Sequence, residues 1–543
     1  MLSYQTHLTI LERTARRCPD NVAFRVPEVD ESSSDIRHWQ SITYKQFLQD
    51  VERSARYWLW KLTADDISAG SVIGLWLGGT TYVDVLHIYG IARAGFIPQL
   101  ISLRLPNAEV ILELLNLSKG KAIVHDASFT SPLRRCPLPV YAAVDVREAS
   151  PVAIDLPPVV EGSDADDIIM LFHTSGSTSG RPKLVPCTYA WWSTTIMKAG
   201  QIMRPKTRST SRQDTAVCMG SLCHMGQSFM LAGALEHGSC TVLYTKQAYS
   251  SDELLDMMHR CGLTRMNIFP TFLSVHLKNS RRDPRLLAGL QALDEILVTG
   301  LPMSPEDQQW VRSNGINVLD CYASTEVAVM MLSTGQAING RLPPLQPIEG
   351  ASYAMVATAP QPPQSDSGYY NLHARLLELV VLAHSPDCPH PSLRDIDGNY
   401  HTGDLFFEQS PGKYVYYGRD DDWIKTEVSL RCNTKAIEEN VYTTCGDLVS
   451  NCVVVGTGRP SPALIVESLT ADVDAQKLKA MIYRRIRAFH ARRYLHERIA
   501  SADAILVAPA NTLPRTATKG NIRRRAAEED FKAELDRIYS LTR

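Results

Sequence analysis

The sequence lacks the features that would direct it to a membrane or to nucleic acid. No uninterrupted run approaches the roughly 18 apolar residues that a membrane-spanning helix requires. The first residues contain no basic segment followed by an apolar stretch, so no secretory signal is predicted. The formal net charge is −2, which leaves no basic excess to neutralise the phosphates of a nucleic acid or an anionic membrane. We therefore expect a cytoplasmic protein with neither a nucleic-acid nor a membrane partner.

Closely spaced cysteine pairs are also missing. The chain has twelve cysteines but no C-x-x-C pair, which argues against a zinc site or a disulfide framework and favours reduced thiols. The chain is 543 residues long, with 44% hydrophobic and 21% charged residues. This length exceeds one ordinary domain and is sufficient for a large hydrophobic core.

Short apolar runs alternate with helical-looking stretches over residues 67–124, and further runs (SCTVLY, TRMNIFP, DEILVTG, INVLDCY) follow later. This alternation predicts strands joined by crossover helices, hence an α/β fold with a mostly parallel sheet. The runs LLELVVLAH and YVYYG are more typical of antiparallel strands. Beyond Gly418 the composition changes, so we predict a large N-terminal domain over 1–418 and a small α+β domain over 419–543.

A loop rich in Gly and Ser, HTSGSTSGRPK, spans His173–Lys183 and follows a predicted buried strand, Ile168–His173. Backbone N–H groups in such a turn can converge on an anion, while hydroxyls and a lysine add donors and charge. The loop is not a Walker A motif, because only three residues separate Gly176 from Gly180 and Arg-Pro precedes the lysine. We predict a phosphate-binding loop, with a flexible surface loop as the alternative.

Four more motifs follow in order: CYASTE (Cys321–Glu326), YHTGDL (Tyr400–Leu405), GRDDDWIK (Gly418–Lys425) and LPRTATKGNIRR (Leu513–Arg524). With the loop, they resemble the ordered motifs of the adenylate-forming superfamily of acyl- and aryl-CoA ligases, peptide-synthetase adenylation domains and luciferases. The resemblance covers nearly the whole chain. It implies a β-barrel-like part in the large domain and a mobile small domain. It also implies two half-reactions, in which ATP converts an acid to acyl-AMP with release of pyrophosphate and a thiol then takes the acyl group.

The resemblance implies a role for each residue of the nucleotide site. Glu326 would bind Mg²⁺ as an oxygen ligand and Thr325 would contact the α-phosphate. Tyr322 would stack on adenine, although a tyrosine at this position could also be a core residue. Gly300 would lie against the adenine, but Leu301 departs from the family pattern at the next position. The β- and γ-phosphates would be bound by Thr174, Ser175, Gly176, Ser177, Thr178, Gly180 and Lys183.

The later motifs supply the remaining implied roles. Asp404 would accept hydrogen bonds from the ribose hydroxyls with Arg419 as an added donor, the alternative being a turn cap after Gly403. Asp421 would be the hinge about which the small domain rotates, the alternative being a solvated acidic run. Lys519 would be the catalytic lysine, meeting the carboxylate and the α-phosphate. It precedes a glycine where the family lysine follows one, so a surface charge on a basic tail is the alternative.

The acid is expected to be a simple carboxylic acid. His224 stands where many acyl- and aryl-CoA ligases carry His, whereas amino-acid adenylation domains place an Asp there to pair with the substrate ammonium. No acid stands at that position, and a buried ammonium without a partner is costly, which favours a simple carboxylic acid over an α-amino acid. The resemblance assigns His224 to the catalytic site, with a packed core histidine as the alternative. The expected pocket walls, which suit an aromatic or heteroaromatic ring or a short fatty acid, are His224, Met225, Gly226, Thr299, Cys321, Ala323, Val329 and Met330.

CoA is the expected thiol, so ATP, Mg²⁺ and CoA are the expected cofactors. Only 24 residues follow Lys519, too few for a carrier-protein domain, and no carrier attachment motif is found. A second hypothesis is an adenylation domain that loads a separate carrier protein, and a third is a nucleotide-binding protein without catalysis. The small domain most resembles fungal stand-alone synthetase-like enzymes of secondary metabolism, which favours an aryl or heteroaryl acid of the benzoate or nicotinate type.

Overall fold

The fold is described from a computed structural model of the chain. The described residues are 4–30, 32, 35–102, 108–130, 133–134, 136–159, 164–174, 183–206, 212–300, 303–333, 343–358, 376–419, 423–425, 431–470, 474–491, 497–515 and 522–541.

Helices and strands alternate along most of the described chain, as the sequence predicts. The helices are α1 (His7–Arg17), α2 (Tyr44–Ala64), α3 (Tyr82–Arg93), α4 (Ala108–Ser118), α5 (Tyr189–Ile202), α6 (Met225–His237), α7 (Ser251–Asp256), α8 (Pro270–Ser280), α9 (Pro284–Ala292), α10 (Pro305–Ser313), α11 (Thr434–Cys445), α12 (Ala475–His490), α13 (Arg524–Asp530) and α14 (Lys532–Leu541).

The strands are β1 (Val22–Val29), β2 (Ile36–Thr43), β3 (Val72–Leu77), β4 (Ile97–Ser102), β5 (Ala122–His125), β6 (Val140–Ala142), β7 (Ile168–Thr174), β8 (Lys183–Thr188), β9 (Thr215–Cys218), β10 (Cys240–Val242), β11 (Arg265–Ile268), β12 (Glu295–Thr299), β13 (Val318–Ser324), β14 (Ala328–Ser333), β15 (Leu345–Pro347), β16 (Ala354–Ala357), β17 (Leu376–Val381), β18 (Tyr400–Ser410), β19 (Lys413–Arg419), β20 (Trp423–Lys425), β21 (Arg431–Asn433), β22 (Val449–Val455), β23 (Ala463–Ser468) and β24 (Ile505–Ala508).

Two large sheets organise the N-terminal part. A six-stranded sheet has the order β6-β5-β3-β4-β7-β8, and a 13-stranded sheet runs β16-β17-β18-β19-β15-β14-β13-β12-β11-β9-β10-β1-β2. Strand β3 pairs in parallel with β4 and β5, and β9 to β13 form a second parallel block. The predicted parallel sheets of an α/β fold are therefore confirmed.

The antiparallel strands predicted in the barrel-like part continue the larger sheet. Strand β14 pairs antiparallel with β13, and the series then runs through β15, β19, β18, β17 and β16. A separate three-stranded sheet, β22-β23-β24, forms the C-terminal part, where α11 and α12 pack on its hydrophobic core. The large N-terminal part and the small C-terminal domain agree with the predicted fold class, while the boundary at 418/419 stays a prediction.

Helix α2 illustrates why the sequence folds locally as it does. Thr43 Oγ1 accepts a hydrogen bond from the backbone N–H of Gln46, and the backbone N–H of Thr43 donates to Oε1 of Gln46, which forms a capping box. Phe47, Val51 and Trp58 follow at helical spacing and are completely buried, so one face of the helix packs on the core. Among the helices in the described ranges, none combines the length and the apolar character needed to cross a bilayer.

Burial changes the protonation of several histidines in the N-terminal part. It lowers the pKa of each imidazole to about 4, because desolvation disfavours the charged ring. The neutral rings are used in packing: Nδ1 of His87 accepts from Nε1 of Trp58 at 3.0 Å. The histidines concerned are His7, His87, His173 and His276.

This burial predicts an acid-sensitive fold. The folded pKa of about 4 lies below the ordinary imidazole value of 6.5, so between these pH values the unfolded chain binds more protons. The free energy of unfolding should fall as the pH drops from 6.5 to 4. His7→Phe keeps a ring next to Tyr89 and Trp192 and removes one titrating group, so the free energy of unfolding should depend less on pH in this window, by up to about 1.4 kcal/mol per pH unit, and Tm should vary less with pH accordingly. Calorimetry from pH 8 downwards checks this, and an unchanged acid slope would contradict it.

Candidate active site

The glycine-rich loop lies between two antiparallel strands. Strand β7 enters it and β8 leaves it, and Thr174 and Lys183 are cross-strand partners at its base. Lys183 is exposed and Thr174 is half-buried. A Walker A loop leads into a helix, so this hairpin arrangement agrees with the exclusion of that motif. The other residues predicted to bind the β- and γ-phosphates lie outside the described residues: Ser175, Gly176, Ser177, Thr178 and Gly180.

Ser102 connects the strand that enters the loop to the predicted acid pocket. Its backbone N–H donates to Nε2 of His173 at 3.3 Å, and its Oγ lies 3.0 Å from Nε2 of His224. Burial keeps the pKa of His173 near 4, so this imidazole is neutral and can accept the hydrogen bond. Ser102, at the end of β4, therefore contacts both His173 in β7 and His224, which precedes α6. The sequence reading did not identify Ser102, because these contacts join residues 71 and 122 positions apart.

Helix α6 begins at Met225, and the half-buried His224 before it is its N-cap. The His224 side chain makes no capping hydrogen bond to the helix. The first turn of a helix carries unsatisfied N–H groups and a partial positive charge, so this end of α6 favours an anion. Gly226 is exposed, and a side chain there would meet nothing within 4 Å, so open space adjoins the first turn.

The carboxyl ends of β12 and β13 bring further predicted residues together. Thr299 and Cys321 are paired in the parallel register of these two strands. Gly300 follows with φ at +96°, a conformation that L side chains rarely adopt. In sheets of this class, ligands bind in the crevice at the carboxyl ends of the strands. This edge of the sheet is therefore the candidate site.

The expected pocket walls divide between two hydrophobic cores. Met225, Cys321 and Val329 are buried in the same cluster, so the structure places them close together. Met330 belongs to a different cluster, since neighbouring residues of a strand point to opposite faces. Its sulfur lies 3.5 Å from Nζ of Lys198. Ala323 is exposed at the end of β13.

Thr325 and Glu326 are half-buried in the turn between β13 and β14. Ala328 follows with φ at +55°, in the left-handed region, which costs an alanine about 1–2 kcal/mol. A strained residue of this kind persists only where its surroundings fix the backbone. The turn that carries Glu326 is therefore specified by its contacts rather than by local preference.

Asp404 is the centre of a polar cluster next to this turn. Its side chain is nearly buried, and Tyr322 Oη donates to Oδ2 at 2.7 Å. Tyr416 Oη donates to Oδ1 at 3.2 Å, and Arg419 Nη1 lies 3.9 Å from Oδ1. Asp404 and Arg419 face each other across the β18/β19 register. Three predicted residues, Tyr322, Asp404 and Arg419, thus meet, together with Tyr416, which the sequence reading missed.

Aromatic packing orients the ring of Tyr322. The ring meets Phe406 edge-on with centroids 5.0 Å apart. Burial and the neighbouring Asp404 carboxylate raise the pKa of Tyr322 well above its usual value, so its hydroxyl remains a donor. Burial likewise raises the pKa of Tyr400, with Glu326 as the largest contributing charge. Glu326 is therefore electrostatically coupled to the strand that carries Asp404.

The segment of the predicted catalytic lysine is bounded by defined contacts. Lys519 itself lies outside the described residues, as does Asp421. Arg515 and Ile522, on either side of the segment, form an antiparallel bridge. Arg515 Nη2 donates to Oε2 of the fully buried Glu467 at 2.7 Å. The two ends of this segment are therefore adjacent and fixed to the C-terminal sheet.

Comparison with known proteins agrees with this arrangement. Residues 11–357 match the family described as AMP-binding enzyme, and residues 421–543 match the AMP-binding enzyme C-terminal domain. An AMP-binding domain-containing enzyme, iboA, from Amanita muscaria (strain Koide BX008) is 35% identical over 520 residues, which cover 94% of this chain and 98% of that protein.

Two solved structures show a similar fold at low sequence identity. The Bacillus subtilis O-succinylbenzoate coenzyme A synthetase (MenE) in complex with AMP superimposes with a TM-score of 0.71 at 18% identity, covering 95% of this chain and 97% of that one. The anthranilate CoA ligase AuaEII in complex with anthranoyl-AMP gives a TM-score of 0.65 at 17% identity and 98% coverage of both chains. Because the family description matches most of the sequence and the iboA likeness extends over nearly the whole of both chains, the chain belongs to the AMP-binding, adenylate-forming enzyme family.

Proposed function

We propose that the protein uses ATP to convert an aryl or heteroaryl carboxylic acid to its acyl-adenylate and then transfers the acyl group to CoA. The observation that carries the adenylation step is the nearly buried Asp404 carboxylate, oriented by Tyr322 and Tyr416 beside the Glu326 turn. A carboxylate oriented by two phenol donors suits recognition of a diol such as ribose, and the aromatic ring of Tyr322 would suit stacking on a nucleobase.

The phosphates of ATP would be contacted by Lys183, Thr174 and Thr325. Lys183 and Thr174 lie side by side at the base of the loop, where an ammonium and a hydroxyl can both contact phosphate oxygens. Thr325 lies in the turn after β13. Positioning and charge stabilisation dominate phosphoryl chemistry, so these groups would act by orienting the α-phosphate for attack by the substrate carboxylate.

Glu326 is the residue that would hold Mg²⁺. Within the described ranges, no group of three or more His, Cys, Asp or Glu side chains could bind a metal ion. Mg²⁺ is usually bound by one or two carboxylates together with water and substrate phosphates, so a single glutamate at this edge fits its preferences. Bound there, the cation would neutralise charge on the phosphates of ATP.

The acid would lie at the start of α6. The uncapped first turn favours a carboxylate, and the open space beside Gly226 gives room for a ring. His224 is held by Ser102 Oγ at 3.0 Å, which fixes the imidazole at the mouth of this space. Lys519 would meet the same carboxylate and the α-phosphate during adenylation, as the family resemblance implies.

The first experiment is to incubate the purified protein with ATP, Mg²⁺, CoA and a pool of aryl, heteroaryl and short aliphatic acids, and to identify products by mass spectrometry. An acyl-CoA would establish both half-reactions and name the acid by its mass. Acyl-adenylate or AMP without acyl-CoA would favour the carrier-protein alternative. ATP binding without pyrophosphate release for any acid would favour a non-catalytic nucleotide-binding protein.

A further inference from the structure

Lys198, on helix α5, is completely buried in the large domain. Its ammonium lies 2.5 Å from Oδ1 of Asp387, which is 1% exposed. The same nitrogen donates to the carbonyl oxygen of Val327 at 2.9 Å and lies 3.5 Å from the sulfur of Met330. A buried ammonium is tolerated only where charge and hydrogen bonds compensate its lost hydration, so these partners define its position.

Asp387 is itself fixed by the surrounding backbone. The N–H of Ser352 donates to its Oδ2 at 2.7 Å, and its own N–H donates to Oγ of Ser385 at 3.1 Å. Its carbonyl oxygen accepts from Nε1 of Trp191 at 3.2 Å, and Trp191 lies about two turns before Lys198 in the same helix. These contacts hold Asp387 in place, and its carboxylate in turn positions the Lys198 ammonium.

The Val327 carbonyl is the first backbone acceptor after Glu326. It belongs to the peptide that leads into Ala328, whose φ of +55° is disfavoured for alanine. The ammonium thus holds the peptide that leads directly into the strained residue. Helix α5 also continues from β8, whose first residue is Lys183, so a single stretch of chain connects the phosphate loop to the Glu326 turn.

We propose that Lys198 is a positioning residue that sets the affinity of the site for Mg²⁺–ATP by fixing the orientation of Glu326 through the Val327 carbonyl. The inference rests on the proposed function for the part that Glu326 plays. Residues that support a metal ligand typically change metal affinity by about 10- to 100-fold when they are removed. Lys198 contacts the carbonyl of Val327, the residue after Glu326, and not Glu326 itself. We therefore expect the loss of metal affinity to lie at the lower end of that range, about tenfold.

A second buried ion pair in the same domain provides a matched control. Arg265 is also nearly buried, with Nη2 at 2.8 Å from Oε1 of Glu295 and Nη1 at 3.5 Å from Oδ2 of Asp214. Arg265 and Glu295 are the first residues of β11 and β12, at the edge of the sheet opposite to the candidate site. Loss of Arg265 should therefore lower stability without moving the Glu326 turn.

The experiment compares wild type, Lys198→Met and Arg265→Met by calorimetric titration of ATP with and without Mg²⁺, alongside thermal unfolding. For Lys198→Met we expect the Mg²⁺-dependent gain in ATP affinity to fall about tenfold, with the metal-free ATP affinity nearly unchanged. Arg265→Met should lose comparable thermal stability and keep the wild-type response to Mg²⁺. Adding Ala328→Gly to Lys198→Met should restore part of that response, because glycine adopts the turn conformation without strain.

An unchanged Mg²⁺ response in folded Lys198→Met, or an equal loss in Arg265→Met, would overturn the inference. If Lys198→Met does not fold, Asp387→Asn keeps the side-chain shape while removing the charge that orients Lys198, and it must show the same selective loss. Wild-type protein that binds ATP without any Mg²⁺ dependence would also overturn it. Intact Mg²⁺-dependent ATP binding without pyrophosphate release would instead count against the proposed function alone.

Discussion

Lys519→Ala is expected to slow acyl-adenylate formation by about 10²- to 10³-fold, the usual cost of removing one donor that stabilises charge in a transition state. Thioester formation from supplied acyl-adenylate should proceed at the wild-type rate, because the family resemblance implies that the lysine acts only in the first half-reaction. Pyrophosphate release and acyl transfer, measured separately in single-turnover experiments, give the two rates.

The control for this prediction is Lys532→Ala. Lys532 is the exposed first residue of α14, thirteen positions further along the basic tail, so its loss changes the net charge equally. Neither half-reaction should change in this variant. Similar adenylation rates for the two alanine variants would mean that Lys519 is a surface charge, as the displaced glycine in its motif allows. Equal loss of both half-reactions in Lys519→Ala would contradict the division of roles.

Asp404→Ala should raise the KM for ATP by roughly 10- to 100-fold, the range expected for lost hydrogen bonds to a charged group. The substitution removes the acceptor of Tyr322 Oη and Tyr416 Oη and the partner of Arg419. Because the acid is proposed to bind at the start of α6, away from Asp404, the KM for the acid should change less. Steady-state kinetics at saturating acid, with Tm as a folding check, measure the effect.

Tyr416→Phe is the matched control for Asp404. It removes the longer, 3.2 Å hydrogen bond to the carboxylate and leaves the 2.7 Å bond from Tyr322. The rise in KM for ATP should be smaller than in Asp404→Ala. A folded Asp404→Ala protein with an unchanged KM for ATP would remove this residue from the nucleotide site.

Local sequence patterns predicted much of the fold. The apolar runs before Thr174, Gly300 and Tyr322 proved to be strands β7, β12 and β13, because a buried parallel strand needs apolar residues on both faces. The antiparallel character of YVYYG was also correct. Residues 7–66, which the sequence reading did not assign, form α1, the β1–β2 hairpin and α2, and the hairpin extends the large sheet through β10.

The sequence predicted residues of the candidate site only where they belong to a recognised motif. Tyr322, Asp404 and Arg419 were named from their motifs, yet the hydrogen bond between Tyr322 and Asp404 joins residues 82 positions apart. Tyr416 and Lys198 belong to no motif and acquire their roles from strand register and helix packing. Such contacts depend on tertiary structure that no local window of sequence specifies.

The glycine-rich loop connects two antiparallel strands instead of opening a helix, and this affects how strongly its surroundings attract an anion. A loop that opens a helix adds the partial charge of the helix terminus to its affinity for an anion, whereas the dipoles of paired strands largely cancel. Here the loop runs from β7 to β8, and exposed Lys183 stands at its base. The strand ends that flank the loop therefore add little attraction for a triphosphate, and the charge of Lys183 is one that salt screens over a Debye length of about 8 Å at physiological ionic strength. Binding of the proposed nucleotide should therefore weaken as the ionic strength rises.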